Sequence, residues 1–145
     1  MLLVVPDDVP LGLLVSRTAK VLARAFDQAL EAAGGSTPTW LVLLSLKAGG
    51  HRTQSELAGA VGVRQPTLTH HLDAMERAGL VTRYRDPDNR RVQRVLLTDD
   101  GEAAFVRMRR AAAAFDGGLR AGLDAEGEAR LRRLLAHLVE NVEEG

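Results

Sequence analysis

The chain has 145 residues, 46% of them apolar, which suits one domain with a proper core or a domain with an extension. It contains no cysteine, so disulfides, thiolate metal sites and thiol-based peroxide sensing are excluded. Its 19 basic and 19 acidic residues cancel, but residues 51–98 hold 8 Lys and Arg against 5 Asp and Glu, with three of the four histidines.

The start, MLLVVPDDVPLG, has no basic n-region and carries two aspartates, so it does not read as a signal peptide. No run reaches the roughly 20 apolar residues that span a bilayer, so no membrane partner and a cytoplasmic location are expected. Residues 11–33 read as a helix. Val15, Leu22, Phe26 and Ala29 form one apolar stripe, and Leu14, Val21 and Ala25 form a second beside it. A helix apolar on two faces needs more than one partner. Gly34-Gly35 stops it, and Thr37-Pro38 opens a second helix with Thr37 as the expected N-cap. Its body, WLVLLSL, is apolar nearly all round and predicts a buried central helix that closes at Gly49-Gly50.

Thr53-Gln-Ser-Glu56 is a capping box that opens a short helix to about Ala60. Gly62 forces a turn. A further helix runs from about Arg64 to Arg77, with Leu68, Leu72 and Met75 inward and Pro66 in its first turn. Gly79 ends it. Leu80–Arg85 and Val92–Leu97 read as strands of a hairpin around Asp-Pro-Asp-Asn. Thr98 caps a long helix whose first turn holds Asp99, Asp100 and Glu102, favourable at the positive end of the dipole. Gly117-Gly118 should weaken its end. Asp124 starts a last helix with Leu131, Leu134, Leu135, Leu138, Val139 and Val142 at helical spacing.

Gln54 to Leu72 fits a helix-turn-helix on steric grounds. Ala58 is small where two helices cross, Gly62 can take the left-handed turn, and Leu57, Val61, Val63 and Leu68 share a core. The basic hairpin that follows makes it a winged helix. The concentration of positive charge in this middle third is the footprint of a nucleic-acid face.

The wing stretch GLVTRYRDPDNRRVQRVLLTDDG resembles that of the MarR family of bacterial transcriptional regulators. That family's wing carries an aspartate and an arginine two apart, then Leu-Thr and a glycine; these are read here as Asp88, Arg90, Leu97, Thr98 and Gly101. TPTWLVLLSL resembles the family's second helix, and the order of elements agrees over about residues 11–142. The resemblance implies a mainly α fold with a small β-hairpin wing: a dimerisation helix in residues 1–35, a winged helix-turn-helix in 36–98, and C-terminal dimerisation helices in 99–145. It implies a homodimer on double-stranded DNA, with recognition helices about 34–36 Å apart on a pseudo-palindromic operator, most often as a repressor. In the family, the wing arginine enters the minor groove and the aspartate orients it. Carried over, these are Arg90 and Asp88. Arg85 and Arg91, with Arg83 and Arg94, either contact phosphate or pair internally with Asp86.

Exposed positions near the start of the recognition helix, Arg64, Gln65, Pro66, Thr67, Thr69, His70 and His71, should reach bases or phosphate. Arg suits guanine, Gln suits adenine, and the Thr methyl suits that of thymine. Which histidine faces DNA stays open. Many family members release DNA on binding a phenolic or anionic aromatic effector, for which Leu14, Arg17, Trp40, His51 and His71 are the pocket residues expected. For Trp40 the competing reading is core; for Arg17 it is surface.

Neither an enzyme nor a cofactor is expected, because no Gly-rich phosphate loop, H-E-x-x-H motif or nucleophile elbow is present. No metal site is expected either, since adjacent helical histidines point about 100° apart. The alternatives are a winged-helix protein-interaction module without DNA binding, and a metal-responsive regulator.

Overall fold

The computed structural model describes residues 8–49 and 52–145, so the leader reading of residues 1–7 and the role expected of His51 lie outside the described residues. The described elements are α1 (Leu11–Ala32), α2 (Thr37–Gly49), β1 (Arg52–Thr53), α3 (Gln54–Val61), α4 (Gln65–Arg77), β2 (Val81–Arg85), β3 (Gln93–Leu97), α5 (Asp99–Leu119) and α6 (Ala125–Glu143). The mainly α fold with a hairpin wing is thus as expected. The chain divides into two units at Ala112/Ala113, within α5.

In the first unit, α2 is the central helix that its apolar sequence predicts, with Trp40, Val42, Leu43 and Leu46 buried. They join Leu30, Leu57, Leu68, Leu72, Val81, Val95, Phe105 and Met108 in one core. Each fully buried leucine there contributes roughly 1.5–3 kcal/mol. The cap of α2 differs from expectation. Ser36 Oγ accepts the Thr39 N–H at 3.3 Å, so the cap stands one residue earlier than Thr37. Thr37 instead donates its N–H and hydroxyl to Asp27 Oδ1, at 2.8 and 3.0 Å. These bonds, the backbone one first, hold the Asp27 carboxyl below its usual range and fasten α1 to α2.

The capping box acts as read: Thr53 Oγ1 accepts the Glu56 N–H at 3.1 Å. Gly62 stands at φ +77°, a left-handed conformation that costs glycine little. The N–H groups of Gly62 and Val63 both reach the Ala58 carbonyl, at 3.0 and 3.1 Å, closing α3 so that α4 can cross it. β2 and β3 pair antiparallel from Val81↔Leu97 to Arg85↔Gln93. β1, too short to show a pattern in the sequence, pairs Arg52 with Val95, giving the sheet order β1-β3-β2.

The Leu-Thr-x-x-Gly signature has a packing cause. The Thr98 hydroxyl donates to the Gly79 carbonyl and accepts the Gly101 N–H at 3.0 Å. It therefore caps α5 and ties it to the end of the recognition helix. A Cβ at Gly101 would lie 2.1 Å from the Leu80 carbonyl oxygen. Backbone atoms there cannot step aside, so Gly101→Ala should cost about 1–3 kcal/mol, read as a lowered thermal midpoint. An unchanged midpoint would refute this account of the glycine.

In the second unit, α5 runs on through Gly117-Gly118 to Leu119. Asp124 Oδ1 accepts the Gly127 N–H at 2.7 Å and caps α6 as the sequence predicts. Arg120 and Arg132 both pair with Glu128, at 3.2 and 2.9 Å. No residue of α6 is buried, and Leu131, Leu134, Leu135, Val139 and Val142 stand exposed along it. Among the described residues, no helix is long and apolar enough to cross a membrane.

Candidate nucleic-acid interface

The recognition helix α4 is anchored by Leu68, Leu72 and Met75, all buried. This places Arg64, Gln65, Pro66 and Thr67 on its exposed side, together with His70. Arg64 is the N-cap residue, and it is exposed. His71 is half-buried, so His70 is the histidine presented outward. Thr69 is half-buried too. Its hydroxyl donates to the Gln65 carbonyl at 3.0 Å and accepts from Gln54 Nε2 at 2.6 Å. Thr69 therefore braces the recognition helix against α3, and Gln54, not singled out in the sequence, is the residue holding it.

The wing tip is built by Asp86. Its Oδ1 accepts the N–H of Asp88 at 2.8 Å and of Asn89 at 3.2 Å, while Oδ2 accepts from Arg94 Nε. The Arg94 bond, and then the backbone bonds, keep the carboxyl below its usual range, so it stays charged at neutral pH. The Asp86 N–H donates to the Val92 carbonyl, and the Val92 N–H to the Asn89 carbonyl, both at 2.9 Å. The second of these bonds closes a β-turn whose two corner residues are Arg90 and Arg91. Both are exposed. Asn89 Oδ1 accepts the Arg91 N–H at 3.2 Å, and Arg85 Nη1 approaches the Arg90 carbonyl at 3.4 Å.

Three expectations change here. Among the described residues, no ion pair joins Asp88 to Arg90; Asp86 shapes the turn instead. The family's signature also leaves five residues between its arginine and its Leu-Thr, and in this chain five residues separate Arg91 from Leu97. The spacing thus places Arg91 at the signature arginine and Asn89 at the aspartate, one residue on from the first reading. Finally, Arg94 pairs internally with Asp86, one of the two readings given for it, whereas Arg83 pairs internally with carboxylates of α4 and not with Asp86. Arg83 Nη2 meets Asp73 at 2.5 Å and Glu76 at 3.1 Å.

Gln54, Gln65, Arg91 and Gln93 line one cleft of about 300 Å³ between the starts of α3 and α4 and the wing. The N-terminal end of α4 and the wing therefore open on one cleft. Of the residues expected around an effector, Trp40 is 8% exposed and stacks on Phe105, with ring centroids 5.5 Å apart. It belongs to the core. Arg17 is exposed on α1, and Leu14 and His71 are half-buried.

A helix-turn-helix whose second helix shares a cleft with a basic hairpin defines a winged helix. Comparison with known proteins agrees. The model of the MarR family matches residues 36–92. The transcriptional repressor CouR, solved bound to a 23-mer DNA duplex, is 29% identical over 90% of this chain and 92% of its own, with a TM-score of 0.81. Transcriptional regulator PA3341 is 31% identical over 94% of this chain and 100% of its own, with a TM-score of 0.76. A mutant MarR from E. coli complexed with operator DNA is 26% identical over 90% and 94%, with a TM-score of 0.80. The chain belongs to the MarR family of transcriptional regulators, which are not enzymes.

Proposed function

We propose that the protein acts in the cytoplasm as a homodimeric repressor of a pseudo-palindromic operator. Arg64, Gln65, Pro66 and Thr67 read bases in the major groove, with His70 beside them. Arg91 and Arg90 enter the adjacent minor groove, where a narrow groove's negative potential favours a guanidinium. Arg85 neutralises backbone phosphate. The observation that carries this reading is the shared cleft: Gln65 and Arg91 line it together, so one duplex can meet both. The relatives solved with DNA support it, CouR being described as a repressor. Pairing of subunits is supported by the apolar side chains left exposed on α1 and on α6.

The test is selection of duplexes from a random pool by the purified protein, followed by footprinting and a reporter fusion. Two inverted half-sites about one helical turn apart, with reduced transcription when the protein is supplied, are expected. A single isolated half-site, or no sequence preference at low salt, would overturn the proposal.

A further inference from the structure

Asp73 and Glu76 stand three residues apart on α4, which makes them neighbours on one helix face. Acidic groups on a helix that enters a groove between phosphates oppose binding electrostatically, so their presence needs a cause. Both carboxylates meet one atom of the wing, Arg83 Nη2 on β2, at 2.5 and 3.1 Å. Glu76 also accepts the backbone N–H of Arg83 at 3.0 Å through its other oxygen. One carboxylate thus grips strand β2 by main chain and side chain together. The Arg83 side chain is only 14% exposed, and its Nε is buried with no hydrogen-bond partner. A guanidinium so far withdrawn from solvent is poorly placed to meet phosphate, and its desolvation is offset only while the two carboxylates stay in place. The bonds from Arg83, side chain first, hold the Glu76 carboxyl below its usual range.

We infer that Arg83 is a positioning residue: its bridge to Asp73 and Glu76 sets the angle between recognition helix and wing without touching DNA. The inference rests on the two-groove reading above. The wing tip begins three residues past Arg83, about 10 Å at ~3.3 Å per residue. A tilt of roughly 20° at the bridge would move it by about 3 Å, the length of a hydrogen bond. The two grooves would then no longer be met in register.

The test compares affinity for a duplex selected by the wild-type protein with affinity for a random duplex of equal length, across a salt series. Two variants are measured, Arg83→Met and the double change Asp73→Asn with Glu76→Gln. Removing two negative charges from the recognition helix should strengthen binding to random duplex, yet the ratio of selected to random affinity should fall roughly tenfold, about the loss of one matched base pair. Arg83→Met should lose the same ratio with no change in the salt slope on random duplex. A slope lowered by about one in Arg83→Met would mark Arg83 as a phosphate contact and overturn the inference. So would a wild-type ratio in the double variant, which also decides the matter if thermal melting shows that Arg83→Met does not fold. A wild-type protein with no duplex preference would instead strike at the two-groove reading itself.

Discussion

Replacing Arg90 and Arg91 together with alanine is expected to weaken binding to the selected operator about 100-fold at fixed salt, with the thermal midpoint unchanged. Neither side chain supports the fold. The β-turn is closed by backbone bonds and shaped by Asp86 and Asn89, and alanine can occupy either corner of a turn whose residues show no positive φ. The loss should therefore fall on DNA alone. A guanidinium in a groove is worth about 1–3 kcal/mol, so two of them account for a drop of this size. The slope of log affinity against log salt should become shallower by about two, because two fewer counterions are displaced. Single variants separate the two readings of the signature. If its spacing governs, Arg91→Ala carries the larger share; if the first reading holds, Arg90→Ala does. Full operator affinity with an unaltered salt slope in the double variant would remove the wing from the interface.

The elements of the winged helix were legible because each is punctuated locally. Thr53, Gly62, Gly79, Thr98 and Asp124 act within three or four residues of themselves, and the structure places caps or left-handed turns at or beside them. What the sequence hid was pairing across distance. Asp27 reaches ten residues to Thr37 and moves the cap of α2 to Ser36. Arg83 and Arg94 looked as basic as Arg90 and Arg91, but strand geometry brings one beside the carboxylates of α4 and the other beside Asp86. Two of the five arginines of the hairpin are thus structural, and only the fold separates them from those at the tip. Thr69 shows the same effect on a smaller scale. Its spacing on α4 marks it as exposed, while Gln54 on the neighbouring helix engages its hydroxyl. The expected effector pocket was the least legible feature, since Trp40, its one aromatic ring apart from histidine, is spent on the core.

Changing Leu131 and Leu135 together to glutamate is expected to convert a dimer into a monomer in sedimentation experiments. The helix itself should survive, because glutamate and leucine have similar helix propensity and neither residue is buried within its own unit. In the isolated chain these side chains are 45% and 44% exposed, and Val142 on the same helix is 77% exposed. An exposed row of apolar side chains at helical spacing loses free energy in water at roughly 25 cal/mol per Å², and patches of this kind mark contact surfaces. Burying two carboxylates in such a contact would cost more than the contact returns. The consequence for DNA follows from linkage of the two half-sites. Once one recognition helix is seated, the second binds as an intramolecular event, and losing that tether removes about 10²–10⁴ in affinity without any change at the groove. The monomeric variant should therefore bind a single half-site as well as the wild-type subunit does, yet lose the full operator by that factor. A wild-type chain that sediments as a monomer at micromolar concentration would contradict the account, as would a double variant that stays dimeric.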